Sequence, residues 1–561
     1  LARISREYGP GAVACVGGVR SSLETQAALT LFCRTQGWRD PQFFWDPRLE
    51  RKVKAAVDRL DARLAVSLRE LESADFILAV GADPVNEAPM LALALRQARR
   101  RGATVTVLDP RPVFLPFEFE HLAVPPGLLD SALGALVKEA LSAEAAPGLQ
   151  EPARKFYEAL PDRYPGDPAL ATRLVSLAEA LQKSSKPVVI CGTDIVRETT
   201  PSCAADVAWL LKSAGKDAGL FYLLPGANAF GAALLSAPES PEIAGGQWPW
   251  GPGALGEPVG PGEPASSASQ ILAGIDQGEI KALVLVENDP FWAFYDEERL
   301  AWALSRLEFL LVLDYVPSPV VKRAHVALPT VPLFERGAGS FVNQEGRAQS
   351  APPVHFGGVP LALISPEVHP PRTFLDHVPG SDPRTPAEIF SELTLALSGL
   401  AAPAPLDPWT WLGRRHPVFR QMEALPGCPA GVRLLPSAQP ERDFTTFPGP
   451  PEAEAPDRLA LLLVDWTFGT EELAGYSNLM RQAEAAPVLC LHPRDAEKSG
   501  LADGDRAALH LPKGSLAVTV KVTAAMAPGV MVLPRHRQLD WRKLPETPVY
   551  LTPNRIDKVQ G

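Results

Sequence analysis

Through the first 400 residues, short apolar runs alternate with amphipathic stretches of helical length, and this alternation constrains the fold more than any other feature. Ala12–Val16, Phe76–Val80, Thr104–Leu108, Pro187–Cys191, Leu220–Leu224, Ala282–Val286 and Phe309–Leu313 read as strands. Helical patterns lie between several of them, from about Leu23 to Cys33, Ala88 to Arg101 and Cys203 to Ala214. A strand that is apolar at every position is buried on both faces, and helices of about 10–15 residues between such strands supply the covers. The chain is therefore expected to form α/β units, doubly wound around parallel sheets.

Two segments echo each other. Phe76–Pro84 (FILAVGADP) and Leu283–Pro290 (LVLVENDP) both run from a buried strand into an Asp-Pro turn. This suggests two related Rossmann-like units facing each other, each with its Asp-Pro at the carboxyl edge of a sheet, where open α/β sheets bind ligands. Residues 1–150 are expected to form the first unit, completed by about 325–400, and 151–324 the second. The Pro/Gly/Trp-rich stretch 238–267 reads as a surface excursion from the second unit, and 401–455 as a proline-rich linker. From about 456 to 561 the period changes to two, with tight turns at Lys513-Gly514 and Pro528-Gly529 around Arg506–Leu511, Leu516–Val522 and Val530–Leu533. That pattern predicts a small β-barrel.

Composition closes off several function classes. A net charge of −11 argues against a nucleic-acid partner or an anionic membrane surface. No apolar run approaches the ~18–20 residues that a membrane-crossing helix needs. The six cysteines are scattered, none in a C-x-x-C pair, so they read as buried reduced thiols in a cytoplasmic protein rather than as metal or cluster ligands. The histidines show no metal-binding spacing and no nucleophile elbow appears. The loop Gly17-Gly18-Val19-Arg20 follows a strand but lacks both phosphate-binding glycine patterns, which gives NAD or ATP little support.

Four segments carry a family resemblance. Ala324–Gln349, AHVALPTVPLFERGAGSFVNQEGRAQ, resembles a segment found throughout the molybdopterin oxidoreductase superfamily, roughly A-D-x-V-L-P … E-x-x-G-T-F-x-N-x-E-G-R-x-Q. Pro493–Asp505 followed by Pro528-Gly529-Val530 resembles that superfamily's carboxyl-terminal dinucleotide-binding barrel. Val80–Glu87 and Lys281–Pro290 add weaker matches, so the likeness covers nearly the whole chain. Within the superfamily the chain looks closest to the large iron–sulfur G subunit of respiratory complex I.

The resemblance implies a pterin-fold protein whose catalytic relatives place a bis-pterin guanine dinucleotide between the sheets. In those relatives a Cys, selenocysteine, Ser or Asp from the first unit ligates molybdenum or tungsten. Here the corresponding stretch Gln36–Arg63 has neither cysteine nor histidine, and Asp40 and Asp46 sit in an aromatic, proline-broken loop without an activating partner. The nearby Cys33 falls inside a helical pattern, and Lys52–Leu68 reads as a solvated amphipathic helix. No catalytic or metal-binding residue is assigned. Asp83, Asn86, Asp109, Asn288 and Asp289, with Glu87 beside them, are vestigial candidates for nucleotide contacts, because a carboxylate suits guanine's N–H donors. The competing role for them is capping helices and holding turns. Glu335, Gly339, Asn343, Glu345 and Arg347 belong to the signature and are expected to be structural, with Gly337 and Gly339 allowing positive φ.

The expected function is that of a scaffold in the peripheral arm of an NADH–quinone oxidoreductase, on the cytoplasmic side of the inner membrane and packed beside other peripheral-arm subunits. It would support electron transfer from NADH to quinone with no cofactor of its own and no membrane span. The iron–sulfur clusters are expected in the family's amino-terminal part, which a chain starting at Leu1 lacks, or in partner subunits. Two alternatives stay open. One is a molybdenum or tungsten bis-pterin oxidoreductase subunit resembling formate dehydrogenase, and the other is a dinucleotide-binding regulatory module.

Overall fold

A computed structural model describes residues 1–141, 148–236, 267–294, 296–332, 339–352, 384–398, 411–413, 416–436, 442–450, 458–511, 514–544 and 549–559. Nine strands build the α/β part: Val13–Gly17 (β1), Phe76–Val80 (β2), Thr104–Leu108 (β3), Glu120–Leu122 (β4), Pro187–Cys191 (β5), Gly219–Tyr222 (β6), Ala282–Val286 (β7), Phe309–Asp314 (β8) and Val326–Pro329 (β9). They sort into two parallel sheets, ordered β1-β7-β8-β9 and β4-β3-β2-β5-β6. β1 and β2 both fall within 1–150, the stretch expected to hold one unit, yet they lie in different sheets. The chain accordingly divides into two compact units that are discontinuous in sequence. Unit 1 comprises 1–50, 225–294 and 298–435, and unit 2 comprises 51–224, 295–297 and 436–561.

In unit 1 the core is made by β1, β7 and β8 against the helices Ala268–Gln277 and Glu297–Ser305, with Leu283, Leu285, Ile271, Leu300 and Val312 fully or nearly fully buried. The helix Leu23–Thr35 begins directly after β1, capped by Ser22, whose hydroxyl accepts from the Thr25 N–H at 3.2 Å. Almost every residue of this helix is buried, Cys33 included, which accounts for its weak amphipathic pattern. A short antiparallel sheet of Gly339–Val342 (β10), Arg347–Ala351 (β11) and Val432–Arg433 (β12) completes the unit.

In unit 2, Ile77, Ala79, Val105, Val107, Val188 and Ile190 pack one face of the five-stranded sheet against the helix Pro89–Arg100. The strand order reverses between β2 and β5, so the sheet's ligand-binding crevice, by the general rule for open sheets, is the carboxyl edge there. The helix expected over Lys52–Leu68 instead spans Pro47–Asp58. It stops because Asp61 turns the chain, its carboxylate accepting from the N–H groups of Arg63 and Leu64 at 2.9 and 3.1 Å. Nor is it simply solvated: Lys52 is buried and donates to the Asp194 carbonyl.

The last domain, also in unit 2, is a seven-stranded mixed sheet ordered β18-β13-β17-β14-β16-β15-β19, where β13 to β19 are Leu459–Val464, Val488–Leu491, Arg506–Leu511, Gly514–Val522, Val530–Pro534, Val549–Leu551 and Ile556–Lys558. It curls around its own apolar core as a half-barrel, with β18 and β19 as its two edges. The expected barrel is therefore present in strand content and curvature. Period-two burial is clearest in β16, whose inward Leu516, Val518 and Val520 alternate with exposed residues.

Part of the stretch expected to be a linker is docked. In unit 2, residues 442–449 cross the helices Leu129–Ala140, Glu151–Ala159 and Thr200–Ser213 as a strap. Phe444 stacks on Phe156 with centroids 4.9 Å apart, and the Phe447 ring fills the space over Gly134, where a β-carbon would lie 2.7 Å from it. The fully buried Asp206 accepts from the Thr445 N–H and hydroxyl at 2.8 and 2.5 Å and also pairs with Arg59. Removing one partner of a buried charge leaves the other uncompensated. Asp206→Ala is therefore expected to cost about 2–4 kcal/mol in denaturant unfolding and to open 442–449 to limited proteolysis. A loss under about 1 kcal/mol with unchanged proteolysis would show the strap to be passive.

Candidate functional site: the carboxyl edges of the two parallel sheets

In unit 2 the strands β2, β3 and β5 end in Gly81-Ala82-Asp83, Asp109-Pro110-Arg111 and Gly192-Thr193-Asp194. Arg111 organises this edge. Its Nε and Nη2 donate to the two oxygens of Asp109 at 2.9 and 2.8 Å, its backbone N–H donates to Asp109 at 2.8 Å, and its Nη1 bonds Glu87. The planar fork of arginine matches a carboxylate in two parallel bonds, and burial of both partners strengthens them. Asp109 has no exposed surface and Arg111 almost none.

Asp83 caps the short helix Pro84–Glu87, accepting from the Asn86 N–H at 3.4 Å and from its side-chain amide at 2.7 Å. Asn86 passes the connection on: its side-chain oxygen accepts from the Thr467 N–H and hydroxyl, at 3.1 and 3.2 Å, tying this turn to the last domain. Arg535 from β17's end makes a second tie, a two-bond grip on Asp194 at 2.8 and 3.2 Å. The apolar side of this junction is a cluster of Ile195 with Val464, Met526, Val530 and Val532. Burial pushes the Glu87 carboxyl up to about 8 despite the Arg111 guanidinium. Burial also raises Asp83, whereas Asp194 is held low because Arg535 and Lys52 outweigh its burial.

Unit 1 repeats the arrangement with different residues. Arg20 follows β1 and grips Asp314 at the end of β8 with bonds of 3.0 and 2.7 Å, its guanidinium lying 4.8 Å from the Tyr315 ring centre. Glu287, at the end of β7, is the second carboxylate. Burial pushes it up to about 7, and the Thr330 hydroxyl donates to it at 3.3 Å. Glu287 also has φ 47°, the single positive φ among the described non-glycine residues. Asn288 donates to the Gly17 carbonyl at 3.1 Å and accepts from the Trp45 indole, and Asp289 caps Pro290–Ala293 through the Phe291 N–H at 3.1 Å. The two Asp-Pro echoes thus produce the same local structure, a strand followed by an Asp-capped four-residue helix.

The other residues singled out from sequence fall as follows. Asp40 pairs with Arg34 at 2.5 Å and Asp46 caps Pro47–Asp58 through the Arg48 N–H at 2.8 Å, so both are engaged within the chain. Gly18 lies against Glu287, where an added β-carbon would meet the Glu287 carbonyl oxygen at 2.2 Å; its loop closes on protein backbone. In the signature, Ser340 and Val342 donate their N–H groups to Glu24 at 2.7 Å and Asn228 at 3.0 Å. Glu345 joins Arg347 and Arg433 at 3.2 and 2.7 Å, and Asn343 accepts from the Glu345 and Arg347 N–H groups. Glu335 and Gly337 lie outside the described residues. Positive φ belongs to Gly346, at 70°, and not to Gly339.

Sequence reasoning missed Asn228, Arg20, Glu287, Asp194 and Arg535 as members of these networks. Asn228 is fully buried and holds the signature strand to the Ser21 carbonyl and Gln26 side chain at 3.0 and 3.1 Å. The available signal was an Asn directly before the apolar helical run Ala229–Leu235. Arg535 and Asp194 lie 341 residues apart, and no local pattern links them.

Residues 3–357 match the family described as "Molybdopterin oxidoreductase", and residues 468–559 match the "Molydopterin dinucleotide binding domain". The G subunit of NADH-quinone oxidoreductase from Pseudomonas putida is 24% identical over 574 residues, covering 84% of this chain and 58% of that relative. The alpha subunit of NADPH-Fe(3+) oxidoreductase from Geobacter sulfurreducens is 30% identical over 281 residues, covering 48% of this chain and 28% of the relative. The chain thus spans less than two thirds of the length of these relatives. Acetylene hydratase from Pelobacter acetylenicus shares the fold at a TM-score of 0.52 and 15% identity, over 95% of this chain and 80% of that one.

A pterin guanine dinucleotide needs accessible acceptors for guanine and free N–H donors for its phosphates. Asp109 is inaccessible and three of its acceptor positions hold Arg111, while both oxygens of the buried Asp83 face Asn86. The N–H groups of Gly81 and Gly192 at the switch point donate to the carbonyls of Leu108 and Val80 at 2.8 and 2.9 Å. A β-carbon on Gly192 would sit 1.9 Å from the Gly81 carbonyl oxygen, so these loops touch. As they stand, these residues do not fit a guanine dinucleotide held by Asp83 and Asp109. Among the described residues, no group of three or more His, Cys, Asp or Glu is placed to hold a metal ion.

The signature's glycines separate two physical costs. Alanine at Gly346 combines left-handed backbone with a contact of 2.5 Å to Leu435, whereas alanine at Gly339 meets Phe341 and Ser22 at 3.1 Å in ordinary backbone. Gly346→Ala is expected to lose about 2–4 kcal/mol and Gly339→Ala about 1 kcal/mol in chemical denaturation. Equal losses would refute the assignment.

Proposed function

Because the chain belongs to the molybdopterin oxidoreductase family, we propose that it is a scaffold domain of a protein like the G subunit of NADH–quinone oxidoreductase. In this reading the domain supports electron transfer from NADH to quinone without a metal or pterin of its own. The iron–sulfur clusters reside in polypeptide outside this chain or in the peripheral-arm subunits that pack beside it, on the cytoplasmic side of the membrane. One observation carries the proposal: the carboxylates best placed to contact a nucleotide are held by the chain's own Arg111 and Asn86. No helix among the described residues is long and apolar enough to cross a membrane.

A second reading is favoured by the dinucleotide-binding match over 468–559, namely a pterin-dependent oxidoreductase subunit. It requires the guanine to be held by groups other than Asp83 and Asp109.

The two readings separate on purified assembled complex. The scaffold reading expects no stoichiometric molybdenum, tungsten or extractable guanine nucleotide associated with this domain. Asp83→Asn and Asp289→Asn should each cost about 1 kcal/mol as altered caps and leave NADH–quinone turnover per assembled complex unchanged. Asp109→Asn should cost more, about 2–4 kcal/mol, because it leaves buried Arg111 without its two-bond partner. Stoichiometric molybdenum or tungsten, or guanine nucleotide that is extracted from wild type and retained by Asp83→Asn and Asp109→Asn, would establish the second reading.

A further inference from the structure

The helix Pro89–Arg100 covers one face of the five-stranded sheet in unit 2 with Leu91, Ala92, Ala94, Leu95 and Ala98. A surface helix ordinarily turns polar and charged groups outward. This one turns out Met90, Leu93, Arg96 and Arg100, with Met90 64% and Leu93 50% exposed. Those positions recur every three or four residues, so they form one stripe, apolar in its first half and cationic in its second. The segment from Arg111 to Glu118 runs beside the helix. Arg111 bonds Glu87 just before the helix begins, and Glu118 pairs with Arg99 in its last turn at 2.6 Å. Burial alternates along the segment: Val113 and Leu115 pack into the cluster that the helix covers, and Phe114 between them points outward, 69% exposed. From Glu87 to Arg99 the chain rises roughly 18 Å, and from Arg111 to Glu118 an extended chain spans roughly 23 Å. Phe114, about 10 Å along, therefore falls at the height of Leu93.

Met90, Leu93 and Phe114 together leave roughly 300 Å² of apolar surface in one place, an extent at which such patches are often functional. Of the four arginines between 96 and 101, Arg99 and Arg101 pair with Glu118 and Glu72. Arg96 and Arg100 meet no carboxylate among the described residues and stand about 6 Å apart, one helical turn from each other. The stripe thus offers apolar anchors at one end and two unpaired cations at the other, on a chain whose net charge is −11. Its complement is an element with apolar side chains at one end and carboxylates at the other.

We propose that this face docks an acidic amphipathic helix of another polypeptide. Apolar side chains of that helix pack on Met90, Leu93 and Phe114, and its Asp or Glu side chains pair with Arg96 and Arg100. The inference rests on the scaffold role proposed above, which supplies such a neighbour. An anionic lipid surface fits less well: two unpaired arginines are few for holding a protein at a headgroup layer, and Glu118, 86% exposed beside them, is repelled by it. A second copy of this chain would present the same stripe across a two-fold axis, and that stripe holds no carboxylate for Arg96 or Arg100.

The test uses the assembled complex, purified through a tag on this chain, with the photo-crosslinker p-benzoylphenylalanine placed at Leu93 or at Phe114. Irradiation should join both positions to one segment of one other polypeptide, with Asp or Glu within about two helical turns of the joined residue. The double reversal Arg96→Glu with Arg100→Glu should lower that polypeptide's occupancy in the complex about tenfold. Both side chains are exposed, so the variant chain should keep the wild-type melting temperature. Lysine in place of the partner's carboxylates nearest the crosslink should restore occupancy to the reversed variant and not to wild type. A complex that assembles fully, with no crosslink and no loss in the variant, overturns the docking surface and leaves the scaffold role standing. A chain that purifies with no other polypeptide overturns both. Crosslinks to a second copy of this chain, to lipid or to a segment without carboxylates refute the stated occupant.

Discussion

The guanidinium of Arg111 is the interaction on which unit 2's carboxyl edge depends. It draws together the ends of β2 and β3 by holding Glu87 and Asp109 at once. With those ends fixed, Asn86 is positioned to meet Thr467, and the edge becomes the seat of the last domain. A lysine would not serve, because a point charge offers one of the two parallel bonds at a time. Arg20 links the ends of β1 and β8 differently, through the single nitrogen Nη2, which donates to both oxygens of Asp314. A parallel sheet leaves its strand ends open, and here arginines close them.

Discontinuous topology makes those closures necessary. β1 belongs with β7, β8 and β9, so the chain leaves unit 1 after Glu50 and returns only near Pro225. Contacts between residues far apart in sequence then carry the order of each unit, at a loop-closure cost that rises only slowly with loop length. Asp194 with Arg535 and Asp206 with Thr445 are of this kind, 341 and 239 residues apart. Without its strap, unit 2 would leave the buried Asp206 and the half-buried Arg59 lacking part of their partner set.

The fold was largely legible because its strands are local signals. Phe76–Val80, Thr104–Leu108, Pro187–Cys191 and Ala282–Val286 occupy the positions that their apolar runs indicate. Pairing was not legible, since β1 and β2 are equally apolar and nothing in either names its neighbour. The sites were half legible. Asp83, Asp109 and Asp289 stand out because Asp-Pro and Asp-Pro-Arg are local turn signals. Asn228 and Arg535 do not, because a polar residue's partner across hundreds of residues leaves no mark on the residues beside it. The strap escaped notice for a related reason. Proline content signals irregular backbone, but irregular backbone can still dock through Phe444 and Phe447.

The signature that identifies the family has its own structural reason to persist. Its strand is fastened at Ser340 by Glu24 and at Val342 by Asn228, both belonging to the elements that follow β1 and β6. Its turn is closed by Asn343, which replaces two backbone partners, and by Gly346, where left-handed backbone and the proximity of Leu435 exclude any side chain. Glu345 then balances Arg347 and Arg433 across β11 and β12. Each of these demands is met within the polypeptide. The motif is therefore explicable as a device that locks the small antiparallel sheet to the helix beginning at Leu23, and that explanation holds whichever ligand a relative carries.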